Sequence, residues 1–148
     1  MAGRWLEPTE GMSGILVDTD VVGLLFAKHP ESEHYAGEIA GNTALISFQS
    51  VAEIERWTVM RAWLPERCAY MHMYLERYTL IPSSPDLCRR WAEVLAAGEE
   101  SGYPVTYGNA WIAATALLYR VPLLTHNADR YRGIPALQTV SYRGMAAE

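Results

Sequence analysis

Two cysteines, a single lysine and no long apolar run are what this chain of 148 residues has least of. Cys68 and Cys88 stand twenty residues apart, without the paired Cys or Cys/His spacing of a zinc site, so both read as reduced thiols. The longest apolar stretch, residues 21–27, is seven residues, against the ~20 needed to span a bilayer, and membrane insertion is excluded. The N-terminus carries one Arg and no apolar core, which is not a secretory signal, so a cytoplasmic protein is expected. Lys28 is the only lysine among 12 cations. The others are Arg, whose planar fork suits bidentate phosphate or carboxylate contacts, although genomic base composition explains the bias equally well. The net charge of −5 argues against broad, charge-driven wrapping of nucleic acid and leaves room only for a short basic strip. Internal repeats, low-complexity segments and a Gly-rich phosphate loop after the first strand are also missing, which removes the usual nucleotide sites of α/β proteins.

What is present is one domain's worth of globular sequence, 50% hydrophobic and 20% charged. A chain of this size buries roughly two-thirds of its unfolded surface and needs no staple. Residues 1–11 read as an N-terminal extension, 12–142 as a single domain and 143–148 as a C-terminal tail. Short apolar runs at 14–19, 43–47, 78–81, 121–125 and 137–140 read as buried strands. Helical patterns alternate with them: one after Asp20, one over 31–40, one carrying Phe48, Val51, Ile54 and Thr58 on a face, one opened by Ser84 and Pro85, and one over 106–119 that is apolar almost all round. The expected architecture is α/β, a short, mostly parallel central sheet of four or five strands flanked by helices.

Ligands of open parallel sheets gather beyond the carboxyl ends of the strands. Three acids fall there: Asp18 after the first strand, Glu53 just after the second and Asp129 just after the fourth. Crowded carboxylates repel unless protons or a cation neutralise them, and hard oxygen ligands favour Mg²⁺ or Mn²⁺. Such an ion keeps waters and binds phosphoryl oxygens, so phosphodiester hydrolysis is the natural chemistry.

Four blocks then resemble a family when taken together: Ile15-Leu-Val-Asp-Thr-Asp-Val-Val-Gly-Leu-Leu, Ile46-Ser-Phe-Gln-Ser-Val-Ala-Glu-Ile-Glu-Arg-Trp, Asn109-Ala-Trp-Ile-Ala-Ala-Thr-Ala-Leu and Leu124-Thr-His-Asn-Ala-Asp-Arg-Tyr. Their order and spacing over about residues 14–141 are similar to those of PIN-domain ribonucleases, specifically VapC-type toxins of toxin–antitoxin pairs. The resemblance implies a PIN-like fold and an endoribonuclease dependent on Mg²⁺ or Mn²⁺. It also implies a cognate antitoxin partner, an RNA substrate and a homodimer. Position by position, Asp18, Glu53 and Asp129 match metal-binding acids, while the pattern's third acid is replaced here by Asn109. That replacement removes a full charge and leaves three readings open: an attenuated nuclease, a catalytically inactive binding or regulatory module, and an inactivating change.

The remaining roles carry competing explanations. Thr106 followed by Asn109 three residues later resembles a capping box, so Asn109 is either a site residue or a cap partner. Asp20 reads as the cap of the first helix in preference to a metal ligand, Thr125 and Asn127 as supports for a ligating carboxylate or as plain turn residues, and His126 as a surface histidine in preference to a catalytic base. Arg130 and Arg132 are candidates for RNA phosphate contacts. The Met- and aromatic-rich stretch 63–74, including Met71 and Tyr74, is the candidate protein interface.

Overall fold

The computed structural model describes residues 14–144, so the expected extension 1–11 and the tail beyond 144 lie outside the described residues. Five strands, β1 (Gly14–Val17), β2 (Thr43–Ser47), β3 (Thr79–Ile81), β4 (Leu123–Leu124) and β5 (Thr139–Val140), form one sheet of order β3-β2-β1-β4-β5. Every pairing is parallel. Such a sheet is covered on both faces, which is why β1 is apolar at every position rather than alternating. Leu16 enters one core with Leu45, Ile112 and Leu123, while Ile15 and Val17 enter the opposite core with Val21, Ile46 and Leu124.

The helices α1 (Thr19–Phe26), α2 (Glu33–Ala40), α3 (Phe48–Met60), α4 (Pro65–Leu75), α5 (Pro85–Ser101) and α6 (Tyr107–Tyr119) connect the strands. As its composition predicts, α6 is central: Ala110, Ile112, Ala113, Ala114, Thr115 and Ala116 are all buried. α1 begins two residues earlier than expected, and its N-cap is Asp18, whose carboxylate accepts the Thr19 N–H; Asp20 lies inside the first turn. The chain before α2 is a separate 3-10 turn, Pro30–Ser32, so that helix starts at Glu33 rather than 31. α1 and α3 approach closely at Gly23, where an added Cβ would lie 3.1 Å from the Trp57 ring. The first turns of the two helices meet as well, through the Thr19 hydroxyl on Ser50 and Glu53.

Cys68 and Cys88 are both free thiols, as expected. Among the described residues no helix is long and apolar enough to cross a membrane. One expectation fails inside 63–74. Met71 is 0% and Tyr74 8% exposed, so both are core residues, and the Tyr74 hydroxyl is bonded to that of Tyr78 at 3.0 Å. The exposed apolar side chains are instead Val59, Met60, Leu64, Tyr70 and Met73, on the end of α3, the turn after it and the outer face of α4. Composition alone marked this stretch as Met- and aromatic-rich; which stripe of α4 faces inward is decided by how the helix seats on the core.

Candidate active site at the carboxyl edge of the sheet

Asp18 follows the last residue of the central strand and is 1% exposed. Its backbone N–H continues the β1–β4 ladder by donating to the Leu124 carbonyl at 2.9 Å, which sets Thr125 beside it. Three donors hold its carboxylate: Thr19 N–H at 2.8 Å on Oδ1, and the hydroxyls of Thr125 at 2.8 Å and Tyr131 at 2.7 Å on Oδ2. Those bonds favour the charged form, yet burial and the neighbouring charge of Asp20 outweigh them, and the carboxyl is pushed up from 3.8 to about 6.

Glu53 reaches the same place from α3. Its Oε2 accepts from Thr19 Oγ1 and from Gln49 Nε2, both at 3.3 Å, and the Thr19 hydroxyl also lies 2.7 Å from the buried Ser50 Oγ. Burial raises the Glu53 carboxyl above the ordinary range, against the lowering effects of Gln49, Thr19 and Arg130. Asp18 and Glu53 are thus joined through one residue, Thr19. Ser50 and Glu53 share a face because they are three residues apart on a helix.

Asp20 belongs to this group more than a cap role suggests. Its carboxylate accepts the Val21 and His126 backbone N–H groups and lies 3.4 Å from Arg130 Nη1. Its charge raises the carboxyls of Asp18 and Glu53 and the phenol of Tyr131. His126 is not a plain surface histidine either: its Nδ1 is 2.7 Å from the Tyr35 hydroxyl and its Nε2 3.0 Å from Glu31.

Asn109 lies in the first turn of α6, half-buried, and its backbone N–H donates to the Thr106 hydroxyl at 3.2 Å, so the capping geometry exists. The same turn borders the acids. An added Cβ on Gly108 would lie 3.0 Å from Gln49 Nε2, the group that bonds Glu53. Both readings of Asn109 are therefore compatible with its place in the fold.

Asp129 is not brought to the Asp18–Glu53 pair. It is exposed on a 3-10 turn, Ala128–Tyr131, in a depression shared with Asn127, Ser141 and Arg143. The turn points Tyr131 inward to Asp18 and leaves the side chain two residues earlier outside. Among the described residues no group of three or more His, Cys, Asp or Glu is gathered closely enough to hold a metal ion. Thr125 bonds Asp18 directly, whereas Asn127 reaches it through Thr125, donating its backbone N–H to Thr125 Oγ1 at 3.2 Å. Arg132 holds its guanidinium 4.4 Å over the Tyr103 ring.

This arrangement coincides with a family profile. The PIN domain profile matches residues 15–135. The chain belongs to the PIN-domain family. Ribonuclease VapC1 of Haemophilus influenzae (strain R2866) is 23% identical, over 83% of this chain and 93% of that protein. A DNA-bound VapBC from Salmonella typhimurium shares the fold with a TM-score of 0.76 at 20% identity, covering 88% of this chain and 98% of its own. VapBC2 from Rickettsia felis, bound to a promoter DNA fragment, gives 0.74 at 23% identity over 87% and 98%.

Within this PIN domain, Tyr131, Thr19, Ser50 and Gln49 are the supports that sequence reasoning passed over. Tyr131 had a signal: a large side chain with one polar tip, closing a polar loop next to a strand, buries its ring and needs a partner for its hydroxyl. Thr19, Ser50 and Gln49 had none, because their roles depend on α1 and α3 meeting.

Proposed function

We propose that this PIN domain is a VapC-type endoribonuclease of a toxin–antitoxin pair, hydrolysing RNA phosphodiesters with Mg²⁺ or Mn²⁺. The observation that carries the reading is the pair of half-buried and buried carboxylates, Glu53 and Asp18, joined at Thr19 and raised by burial and by Asp20. The donor set fits a hard divalent ion: it is all oxygen, and Mg²⁺ is commonly held by one or two carboxylates, with waters and substrate phosphate completing the shell. Asp18 and Glu53 would hold it, with Asp129 acting through solvent. When bound, the ion supplies a Lewis acid for phosphoryl oxygens and a water of lowered pKa.

The chain's own residues do the rest. Thr19, Thr125 and Tyr131 fix the plane of the Asp18 carboxylate, and Gln49 with Thr19 fixes Glu53. Arg130, held beside Asp20, places a guanidinium at the rim for phosphate. The purified protein is expected to cleave RNA with Mn²⁺, to stop with EDTA, and to lose at least tenfold in rate in the Glu53→Gln variant, which keeps the helix but removes the charge. Cleavage by Glu53→Gln at the full rate, or cleavage indifferent to EDTA, would overturn the assignment.

Asn109 favours a second reading, a binding or regulatory module that keeps the scaffold without turnover. It predicts partner or RNA binding with no cleavage at any Mn²⁺ or Mg²⁺ concentration.

The partner surface is the exposed apolar set Val59, Met60, Leu64, Tyr70 and Met73. A groove of about 280 Å³ lined by Phe26, Trp57 and Trp63 runs from beside it to Asp20, with Arg61 and Arg67 stacked on the two Trp rings at 5.6 and 3.9 Å. An antitoxin segment with apolar anchors and acidic flanks suits it, and seated there it covers Asp20. Replacing Met60 and Met73 together by Ser is expected to weaken antitoxin capture at least tenfold in a titration while leaving the thermal midpoint within a few degrees. The homodimer is tested by light scattering of the unmutated chain.

A further inference from the structure

On the other flank of the acids, four aromatic rings run in contact. Phe48 meets Trp111 edge-on at 5.4 Å, Trp111 stacks on Trp91 at 4.9 Å with 19° between planes, and Trp91 meets Tyr107 edge-on at 5.4 Å. The row starts at the site itself. Phe48 directly precedes Gln49, the residue bonded to Glu53, and Tyr107 directly precedes Gly108, whose backbone lies against Gln49. Phe48, Trp91 and Trp111 are partly buried and pack on the core below, so cohesion of the fold accounts for them. It does not account for Tyr107, which is 71% exposed.

Tyr107 is nevertheless held. Its carbonyl accepts the Trp91 indole N–H at 3.2 Å, and its ring abuts that indole. An aromatic ring braced in this way and open to solvent loses little freedom on receiving another flat ring. Tyr103, 48% exposed on the other side of Thr106, carries the Arg132 guanidinium over its ring. The two exposed rings bracket the start of α6, one of them with a cation attached.

We propose that Tyr107, backed by Trp91, is a stacking platform for an unpaired RNA base next to the scissile phosphate. The inference rests on the nuclease reading and assigns it a base-binding residue. The charge of the chain supports it: a net charge of −5 argues against broad, charge-driven binding, so affinity for RNA must come largely from contacts that do not depend on counterion release. Stacking is such a contact, and it is available only to bases out of a duplex.

The test measures binding apart from cleavage. In full-length protein carrying Asp18→Asn, a fluorescein-labelled, unstructured RNA oligonucleotide is titrated by anisotropy. Tyr107→Ala is expected to weaken its binding by about tenfold, with a range of about five- to a hundredfold, without changing the slope against salt. Tyr107→Phe is expected to bind as Tyr does, because it keeps the ring, and the same sequence in a duplex is expected to show no dependence on residue 107. In the Asp18 protein, Tyr107→Ala is expected to raise KM and leave kcat nearly unchanged. Unaltered oligonucleotide affinity in Tyr107→Ala, or no measurable binding with the ring intact, overturns the proposal. A fall in mass by light scattering with unaltered affinity also overturns it, assigning Tyr107 to a contact between copies. Because binding is read separately, Tyr107-dependent binding without any cleavage would sink the nuclease reading alone, and cleavage with Tyr107-independent binding would sink the platform alone.

Discussion

Asp18→Asn is expected to abolish RNA cleavage while making the metal-free protein more stable near neutral pH. The carboxylate is buried, and burial together with Asp20 raises it from 3.8 to about 6. A carboxyl raised on folding binds its proton more tightly in the folded state, so its contribution is most favourable below the unfolded value and is lost as pH climbs through the folded one. Between pH ~4 and ~6 the loss amounts to about 3 kcal/mol for this group, an order-of-magnitude figure. Asn carries no charge to bury. Its carbonyl can keep the Thr19 N–H, and its NH₂ can face the Thr125 and Tyr131 hydroxyls, which turn to accept. Urea titrations across this pH range, in EDTA, are expected to show the unmutated protein losing stability toward neutrality and the variant losing much less. Adding Mn²⁺ is expected to restore stability to the unmutated protein, by about 2.7 kcal/mol at a hundred times Kd, and to do almost nothing for Asp18→Asn. Equal pH and Mn²⁺ responses in both proteins would show that Asp18 is not the buried charge of the site.

The second large effect is a gain. Asn109→Asp is expected to tighten Mn²⁺ or Mg²⁺ binding and raise the cleavage rate by tenfold or more, with growth arrest on expression. A unit charge 4 Å from another is worth ~4 kcal/mol at an effective dielectric of 20, and a divalent ion responds more strongly before desolvation is subtracted. Residue 109 is in the first turn of α6, where a carboxylate is favourable by ~0.3–1 kcal/mol, so the fold is expected to tolerate the change. Thr106 keeps its bond to the backbone N–H of residue 109, which does not depend on the side chain. Calorimetric Mn²⁺ titration, an RNase assay and growth curves read the outcome. A folded variant unchanged in all of them would make residue 109 a cap partner outside the site and favour the binding-module reading.

These two variants probe residues of different legibility. Asp18 was visible because an apolar run ending in an acid places that acid at a strand tip, and the parallel sheet puts every such tip on one edge. Asn109 was visible as a site residue through its departure from a family pattern and as a cap partner through its spacing from Thr106, and its half-buried place beside Gly108 and Gln49 suits both roles. Asp129 shows the limit of spacing: one residue separates it from Tyr131, and the 3-10 turn that holds both sends one side chain to Asp18 and the other to solvent. Asp20, read as a helix cap, sits two residues too late for that, because the helix takes Asp18 as its cap and leaves Asp20 to receive His126 and Arg130.

Local chemistry in the sequence was enough to determine the alternation of strands and helices, the parallel α/β class, the burial of the helix at 107–119 and the acids on the sheet's carboxyl edge. Each follows from short-range apolar patterning and from strands that must be covered on both faces. The tertiary structure alone decided which stripe of α4 faces inward, so that Met71 and Tyr74 are core and Met73 is not. It also decided that Thr19 joins Asp18 to Glu53, and that Tyr131 closes over Asp18 from more than a hundred residues away. Contacts of that range are set by how helices seat on the sheet and how a loop turns. Those are sums over many side chains, and no single stretch of sequence encodes them.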